Sequence, residues 1–250
     1  MEAGSLQMPD IAPTDDSWDS RTRRLLGDVA AERLAHAKVA VIGTGGVGGY
    51  AVETLARSGV GNLIVIDADN VAESNLNRQL IALKSTIGKS KVELFRQRCR
   101  DINPQIEVMA IKEFVTPDNA AELIGTQVDY VIDAIDTVAP KIAVITHCLI
   151  NHIPIISSMG AGGRTDPAKI GYFDISETRE DGLARAVRQR LKKSGMRHAL
   201  KVVASTEAPR RRAVIELNEQ NKRSSYGTII TIPAIFGIYL ANHVIMKLIE

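Results

Sequence analysis

Short apolar runs alternate with helical patterns through the first two thirds of the chain. Five runs are typical of buried strands, at residues 38–42, 63–67, 107–111, 128–133 and 154–158. Stretches with helical periodicity lie between them, at 48–58, 89–103, 118–125 and 141–151. Because apolar strands that alternate with helices form parallel sheets covered on both faces, we predict a Rossmann-like α/β fold. In such folds, ligands bind at the carboxyl ends of the strands.

The pattern changes after residue 158. The glycine-rich stretch SMGAGGRTDP is followed by two strand-like runs, KIGYFDI and ALKVVAS, and a basic helix is predicted between them at 181–194. Residues 224–246 carry no charge, but Pro233 divides them, which favours a strand and a packed helix over a membrane span. We therefore expect a C-terminal extension of mixed strands and helices. Peripheral membrane contact of the apolar stretch stays open as an alternative.

Composition is that of an ordinary globular protein. With 250 residues, of which 45% are hydrophobic, the chain is long enough for one sizeable α/β domain. Its two cysteines, Cys99 and Cys148, are distant in sequence and form no CxxC pair, so they indicate neither a disulfide framework nor a zinc site. The stretch at the N-terminus, MEAGSLQMPDIAPTDD, is acidic and holds no apolar run, which excludes a secretory signal. We expect a cytoplasmic protein.

The turn after the first strand has the composition of a phosphate-binding loop. Gly43, Gly45 and Gly48 follow the apolar run 39–42, so the turn can tighten and a phosphate can approach the N-terminal amides of the next helix. Asp67 closes the second strand, where an acidic side chain takes ribose hydroxyls. Taken alone, this arrangement fits any nucleotide-binding protein.

Two cations separate this chain from a nicotinamide dehydrogenase. Arg78 lies in the segment SNLNRQ, and Lys91 lies in GKSKVE. A dehydrogenase needs neither, because the helix terminus already holds its pyrophosphate. An additional, more highly charged phosphate group does need them.

Five motifs in this order resemble those of the adenylating enzymes that include the ubiquitin-activating, ThiF and MoeB proteins. They are GTGGVGG, the DAD after the second strand, SNLNRQ, GKSK and DAIDT. The resemblance runs from about Arg21 to the C-terminus and implies ATP and Mg²⁺ as cofactors, with Asp136 binding the metal near the α-phosphate. Adenylation expels pyrophosphate from that phosphorus, so positive charge must meet negative charge on both sides of it.

The resemblance also assigns individual residues. Gly46 would line the ATP phosphates, Asp67 would hold the ribose, and Arg78 and Lys91 would hold the triphosphate together with Asn75. The nucleotide-binding residues expected from the glycine turn and the resemblance are Gly43, Gly45, Gly46, Asp67, Asp69, Asn75, Arg78, Gln79 and Lys91. The expected catalytic residues are Asp136, Arg78 and Arg21.

Arg21 matches the family position from which an arginine reaches the γ-phosphate of the neighbouring subunit. The match implies a homodimer. A basic cap on an N-terminal helix is the alternative interpretation, and the adjacent Arg23 and Arg24 allow the assignment to shift. The chain then divides into an N-terminal extension at 1–20, expected to be partly disordered, an ATP-binding adenylation domain at 21–158, and a C-terminal substrate and dimer region at 159–250 of the same compact unit.

Later motifs narrow the resemblance. RTRRLLG, SMGAGGRTDPAKI, the DIS of YFDIS, ARAVRQRLKKSG and VVASTE are similar to segments of the tRNA threonylcarbamoyladenosine dehydratases. That similarity implies that ATP adenylates the threonine carboxylate of a modified adenosine beside the anticodon, and that the neighbouring carbamoyl group closes a ring and expels AMP. An intramolecular attack needs no enzyme thiol. No cysteine occurs after Cys148.

Charge is concentrated late in the chain. Residues 179–223 hold thirteen Lys and Arg against five Asp and Glu, in a protein whose net charge is only +2. Such a cluster suits a polyanion, and we predict tRNA as the partner and Arg210, Arg211 and Arg212 as its contacts, in a basic loop near 208–225. A solvated helix face is the alternative interpretation for the basic helix.

Other functions stay open. The same site could adenylate the C-terminal carboxylate of a ubiquitin-like or sulfur-carrier protein, with a sulfur-relay partner, although the chain lacks the late cysteine and the CxxC pairs common in such enzymes. A nucleotide-sensing protein without turnover would keep Gly46 and Asp67 but would not use Arg78 or Asp136. A nicotinamide dehydrogenase does not account for SNLNRQ.

Overall fold

The computed structural model describes residues 17–196, 200–216 and 224–250 of the 250-residue chain. The helices are α1 (Ser20–Leu26), α2 (Asp28–His36), α3 (Gly48–Arg57), α4 (Lys91–Ile102), α5 (Ala120–Ile124), α6 (Val138–Ile150), α7 (Gly182–Lys193) and α8 (Thr231–Ile249). The strands are β1 (Lys38–Ile42), β2 (Asn62–Ile66), β3 (Glu107–Ile111), β4 (Tyr130–Asp133), β5 (Ile155–Ser158), β6 (Ile170–Asp174), β7 (Lys201–Ser205), β8 (Val214–Glu216) and β9 (Ser224–Tyr226).

One seven-stranded sheet organises the fold. Its order is β3-β2-β1-β4-β5-β7-β6, and every neighbouring pair is parallel except β7 and β6. The direction of strand addition reverses at β1, which lies between β2 and β4, and this reversal opens a crevice at the carboxyl ends of the strands. The predicted Rossmann-like α/β class is confirmed.

Strand β1, in the interior of the sheet, is buried on both faces. Val39 and Val41 of β1 belong to one hydrophobic core, which also contains the inward faces of α3, α4 and α8. Ala40 and Ile42 belong to a second core, formed with α5, α6 and α7. Successive side chains of a strand point to opposite faces, so this apolar run serves two layers of helices and fixes the position of the turn that follows it.

The most apolar helix is part of the first core. α8 is long and apolar enough to cross a membrane by length and composition, with a mean hydropathy of 1.6, but half of it is buried inside the protein. Ile232, Phe236, Leu240 and Val244 recur every fourth residue and are fully buried. This spacing is that of one helix face packed on a core. The predicted packed C-terminal helix is confirmed.

Some boundaries differ from the predicted ones. α6 begins at Val138 rather than at residue 141, because Pro140 lies in the first helical turn, where its missing N–H has no intrahelical acceptor to lose. Within the predicted basic loop near 208–225, residues 211–213 form a single 3-10 turn, and 214–216 pairs antiparallel with 224–226. The middle of that loop and most of the predicted extension at 1–20 lie outside the described residues.

Candidate active site

The turn between β1 and α3 is tight because of its glycines. Gly43 has a φ of +84°, in the left-handed region, and its amide donates to the Ile66 carbonyl at 2.8 Å. A Cβ on Gly43 would lie 3.1 Å from the carbonyl oxygen of Ala134, and one on Gly48 would lie 1.8 Å from the carbonyl oxygen of Gly43. The turn therefore presents bare backbone, and it borders the segment that leads from β4 to Asp136.

Asp67 is held against this turn. Its Oδ2 accepts hydrogen bonds from the backbone amide of Thr44 at 2.7 Å and from the Thr44 hydroxyl at 2.9 Å. Its Oδ1 accepts from the Asp69 amide at 2.9 Å. These bonds fix the carboxylate at the carboxyl end of β2, where the sequence predicts it. Carboxylate oxygens accept more than one hydrogen bond, so the group can still receive a hydroxyl.

Lys91 lies behind Asp69. It is the first residue of α4, its side chain is 4% exposed, and its Nζ donates to Asp69 Oδ2 at 2.7 Å. The Asp69 side chain is 67% exposed. The ammonium is thus buried and paired with a carboxylate that is itself largely exposed to solvent.

The SNLNRQ segment folds over the glycine turn. Arg78 lies above Gly46, because a Cβ on Gly46 would be 3.4 Å from Arg78 Cγ and 3.3 Å from Pro233 Cβ. Gln79 lies above Gly45, where the corresponding distance to Nε2 is 3.7 Å. Asn75 is buried, and its Oδ1 accepts from the Ala72 amide at 3.0 Å. The sequence motif therefore brings its polar side chains to the predicted phosphate loop.

Two buried polar atoms at this site have no hydrogen-bond partner among the described residues. They are Gln79 Oε1 and Ser90 Oγ, which belong to the residues next to Arg78 and Lys91 in the sequence. Buried polar atoms in folded proteins are nearly always paired, because an unpaired one costs about 1–3 kcal/mol. The Ser90 hydroxyl can donate to a phosphate, whereas Gln79 Oε1 can only accept, for instance from a ligand hydroxyl. The bare Gly46 backbone below Arg78 fits a ligand with phosphate groups.

Asp136 is exposed in the turn after β4, and a buried ion pair supports that turn. Lys141 and Asp133 have no exposed side-chain surface, and their Nζ and Oδ2 atoms are 2.6 Å apart. The Ser157 hydroxyl also donates to Asp133 Oδ2 at 2.6 Å, and the Ile135 amide donates to Oδ1 at 3.1 Å. Asp133 is not among the site residues predicted from the sequence. The structure pairs it with a lysine of α6 that sequence reasoning missed.

Arg21 lies at the other edge of the sheet. It is exposed on α1, and its neighbours Trp18 and Thr22 line a small cavity with Gly59, just before β2, and with other residues that precede the strands. Asp136 follows the carboxyl end of β4. One chain therefore does not bring Arg21 to its own glycine turn.

The glycine-rich loop after β5 is tied to α7 by a second buried ion pair. Arg164 and Asp181 are 3.4 Å apart, with 1% and 2% of their side chains exposed. Asp181 also accepts from the Gly160 amide at 2.9 Å and caps α7 through the Ala184 amide. Arg164 donates to the Glu207 carbonyl at 2.8 Å. Sequence reasoning missed this pair too, since its members stand 17 positions apart.

The basic cluster is divided between structural and exposed cations. Arg188 of α7 is half-buried and donates to the carbonyls of Ile175 and Thr178, both at 3.1 Å, so part of the predicted basic helix holds the fold together. Arg210 and Arg212 are exposed. The Arg211 side chain lies outside the described part of the structure.

Neither cysteine has the environment of a nucleophile. Burial raises the pKa of Cys99 and of Cys148 to about 12. The thiolate is the reactive form, so both groups are inert thiols at neutral pH.

The arrangement suits chemistry on a nucleoside triphosphate. The structure brings together the glycine turn, Asp67, Lys91, Arg78 and the turn that carries Asp136, all at the carboxyl edge of the sheet. The described residues contain no group of three or more His, Cys, Asp and Glu side chains that could hold a metal ion by itself. Mg²⁺ is usually held by one or two carboxylates together with substrate phosphates, and an exposed carboxylate at this edge fits that requirement.

The chain is similar to known proteins over almost its whole length. The chain is 41% identical over 239 residues to the tRNA threonylcarbamoyladenosine dehydratase of Bacillus subtilis, across 92% of this chain and 94% of the relative. The crystal structure of the Escherichia coli enzyme of that name in complex with ATP has a TM-score of 0.84 and 38% identity, covering 94% of this chain and 96% of the other. The same enzyme in complex with AMP gives 0.83. The model of the ThiF family matches residues 19–250, and the chain belongs to that family.

Proposed function

We propose that this protein is an ATP-dependent dehydratase that cyclises threonylcarbamoyladenosine in tRNA. The observation that carries the proposal is the full-length likeness to dehydratases of this name, one of them solved with ATP, combined with a crevice built for a triphosphate. The thiol-independent chemistry of cyclisation agrees with two buried, unreactive cysteines. A carrier-protein activator that works through an enzyme thioester would need a reactive thiol, which this fold does not offer among its described residues.

Adenylation is the first step. A carboxylate oxygen of the modified adenosine attacks the α-phosphorus of ATP, and the bond to the pyrophosphate oxygen breaks. Arg78 and Lys91 neutralise the charge that grows on the leaving pyrophosphate, Asp67 orients the ribose, and the amides around Gly46 receive the phosphates. Asp136 would hold Mg²⁺, and the ion would supply further charge neutralisation at the phosphates.

Ring closure is the second step. The neighbouring carbamoyl group attacks the activated acyl carbon, the bond from that carbon to the AMP oxygen breaks, and AMP leaves with the carboxylate oxygen. The substrate has then lost one water in total, while ATP has become AMP and pyrophosphate. Because both reacting groups belong to one nucleoside, holding them in one conformation is the main task of the site.

The tRNA and the second subunit complete the proposal. Arg210 and Arg212, and Arg211 between them, would contact phosphates of the anticodon stem-loop, with the target base turned into the crevice. Arg21 lies at the edge opposite its own site, so it would act in the site of a second copy, which makes the active form a homodimer. We place the reaction in the cytoplasm, where tRNA and reduced thiols occur together.

The test is a direct conversion assay. Purified protein is incubated with ATP, Mg²⁺ and tRNA that bears threonylcarbamoyladenosine, and the tRNA is digested for nucleoside mass analysis. We expect loss of one water from the modified nucleoside and release of AMP and pyrophosphate in equal amounts. Asp136→Asn should lower the rate at least about 100-fold, whereas Asp101→Asn, an exposed control on α4, should not. If ATP is consumed but the mass of the threonylcarbamoyladenosine nucleoside does not change, the proposal is refuted.

A further inference from the structure

One carboxamide joins the triphosphate-binding segment to the connection before α8. Asn77 Oδ1 accepts a hydrogen bond from Arg78 Nη1 at 2.9 Å, and Asn77 Nδ2 donates to the carbonyl of Thr228 at 2.9 Å. Arg78 Nη1 also donates to the Ser74 carbonyl at 2.8 Å. Both hydrogen bonds of the guanidinium use the same nitrogen, so Nε and Nη2 donate to none of the described residues and can meet an anion.

The connection at 226–230 is packed on the glycine-rich loop. The Gly163 amide donates to the Gly227 carbonyl at 2.9 Å. A Cβ on Gly162 would lie 2.5 Å from Tyr226 Cβ and 3.3 Å from the Thr228 hydroxyl. The two segments therefore touch without spare volume, and a shift of one must move the other.

The same contacts continue to the exposed arginines. The Arg210 amide donates to the Gly163 carbonyl at 2.8 Å, and its guanidinium donates to the Thr165 hydroxyl at 2.7 Å. The Gly227 amide donates to the Ala213 carbonyl, also at 2.8 Å. Hydrogen bonds thus run from Arg78, through Asn77 and the connection at 226–230, to the backbone that carries Arg210.

We propose that Asn77 is a positioning residue that couples occupation of the triphosphate site to binding of tRNA. The inference rests on the proposed function for the identity of the second ligand. A triphosphate fixes Arg78, which fixes the Asn77 carboxamide, and its bond to Thr228 then orders the connection that supports the arginines. Coupling of this kind is reciprocal, so tRNA must strengthen nucleotide binding by the same factor.

The coupling is measured as a ratio within each variant. The affinity of tRNA bearing threonylcarbamoyladenosine is determined without nucleotide and with a saturating non-hydrolysable ATP analogue. We expect the analogue to strengthen tRNA binding by about fivefold or more in the unmodified protein, the lower range of allosteric coupling, and by less than about twofold in Asn77→Ala. Asn77→Asp keeps an acceptor for Arg78 and loses the donor to Thr228, so it should lose the coupling as well. Asn151→Ala, the same change at the far end of α6, should keep it.

A second measurement does not depend on tRNA. Hydrogen exchange of the amides at 226–230 should slow when the ATP analogue binds, and this slowing should disappear in Asn77→Ala whose thermal unfolding is unchanged. Slower amide exchange at 226–230 that depends on Asn77 supports the inference even if tRNA is not converted. In that case only the proposed function is refuted. Conversion of tRNA with equal affinity ratios in the unmodified protein and Asn77→Ala overturns the inference and leaves the function standing. The inference is also overturned if the ATP analogue saturates the protein but amide exchange at 226–230 does not slow.

Discussion

Removing the Lys141 ammonium should be among the most destabilising single changes in this protein. Lys141→Met keeps most of the side-chain volume, but it leaves the Asp133 carboxylate buried with no opposing charge. The side chain of Asp133 has no exposed surface, and water cannot replace the lost partner. The Ser157 hydroxyl and the Ile135 amide remain as donors, yet neither carries a charge.

The expected cost follows from this geometry. Breaking a fully buried ion pair by removing one partner costs about 3–5 kcal/mol, because the other charge stays desolvated. A domain is stable by about 5–15 kcal/mol, so the variant should lose a large part of its free energy of unfolding. Removing both charges should cost less, and we expect the double variant Asp133→Asn/Lys141→Met to regain about 2 kcal/mol or more relative to Lys141→Met alone.

The assay is urea unfolding followed by circular dichroism, with the free energy extrapolated to water. Lys84→Met is the matched control, since Lys84 forms an ion pair with Glu73 in which both side chains are more than 70% exposed. That exposed pair should contribute at most about 1 kcal/mol. The reasoning would be refuted if Lys141→Met lowered the free energy of unfolding no more than Lys84→Met does. It would also be refuted if the double variant were less stable than Lys141→Met.

Two further predictions concern the cysteine thiols and the neighbouring subunit. Because burial raises the pKa of Cys99 and Cys148 to about 12, neither thiol of the native protein should react with a disulfide reagent at pH 8, whereas both should react in urea; rapid modification of the native protein would contradict this. Mixing Arg21→Ala chains with Asp136→Asn chains should restore part of the tRNA-cyclising activity, since one site of a mixed dimer has both residues intact. Native mass spectrometry shows whether the subunits have exchanged. Exchange without recovery of activity in the conversion assay would contradict the placement of Arg21 in the neighbouring site.

The sequence predicts the sheet well because its signals are local. The signals for β1, β2 and the turn between them are an apolar run, closely spaced glycines and an acidic residue at a strand end. All of them lie within one short stretch of the sequence. The placement of the SNLNRQ side chains at the phosphate site comes instead from the family resemblance. Resemblance adds the roles of these residues, which periodicity alone does not supply.

The buried ion pairs could not be predicted in the same way. Lys141 opens a stretch with helical periodicity and looks like any solvated lysine, and Asp133 ends a strand like many surface carboxylates. Their contact needs the turn between β4 and α6, which places residues eight positions apart at one buried point. Arg164 and Asp181 meet only after the glycine-rich loop folds back on α7. Such pairs are set by tertiary packing, and a single sequence contains no signal for them.

The packing of α8 has a consequence for how this protein is made. Pro233 lies against Gly46, and Gly237 lies so close to α3 that a Cβ there would stand 2.2 Å from the Val47 carbonyl oxygen. The phosphate loop is synthesised well before the helix that packs over it. At about 5–20 residues per second, roughly 10 to 40 seconds separate the two on the ribosome. Throughout that interval the part of α3 that packs on α8 stays uncovered, and Pro233 reaches the phosphate loop only after α8 has been synthesised.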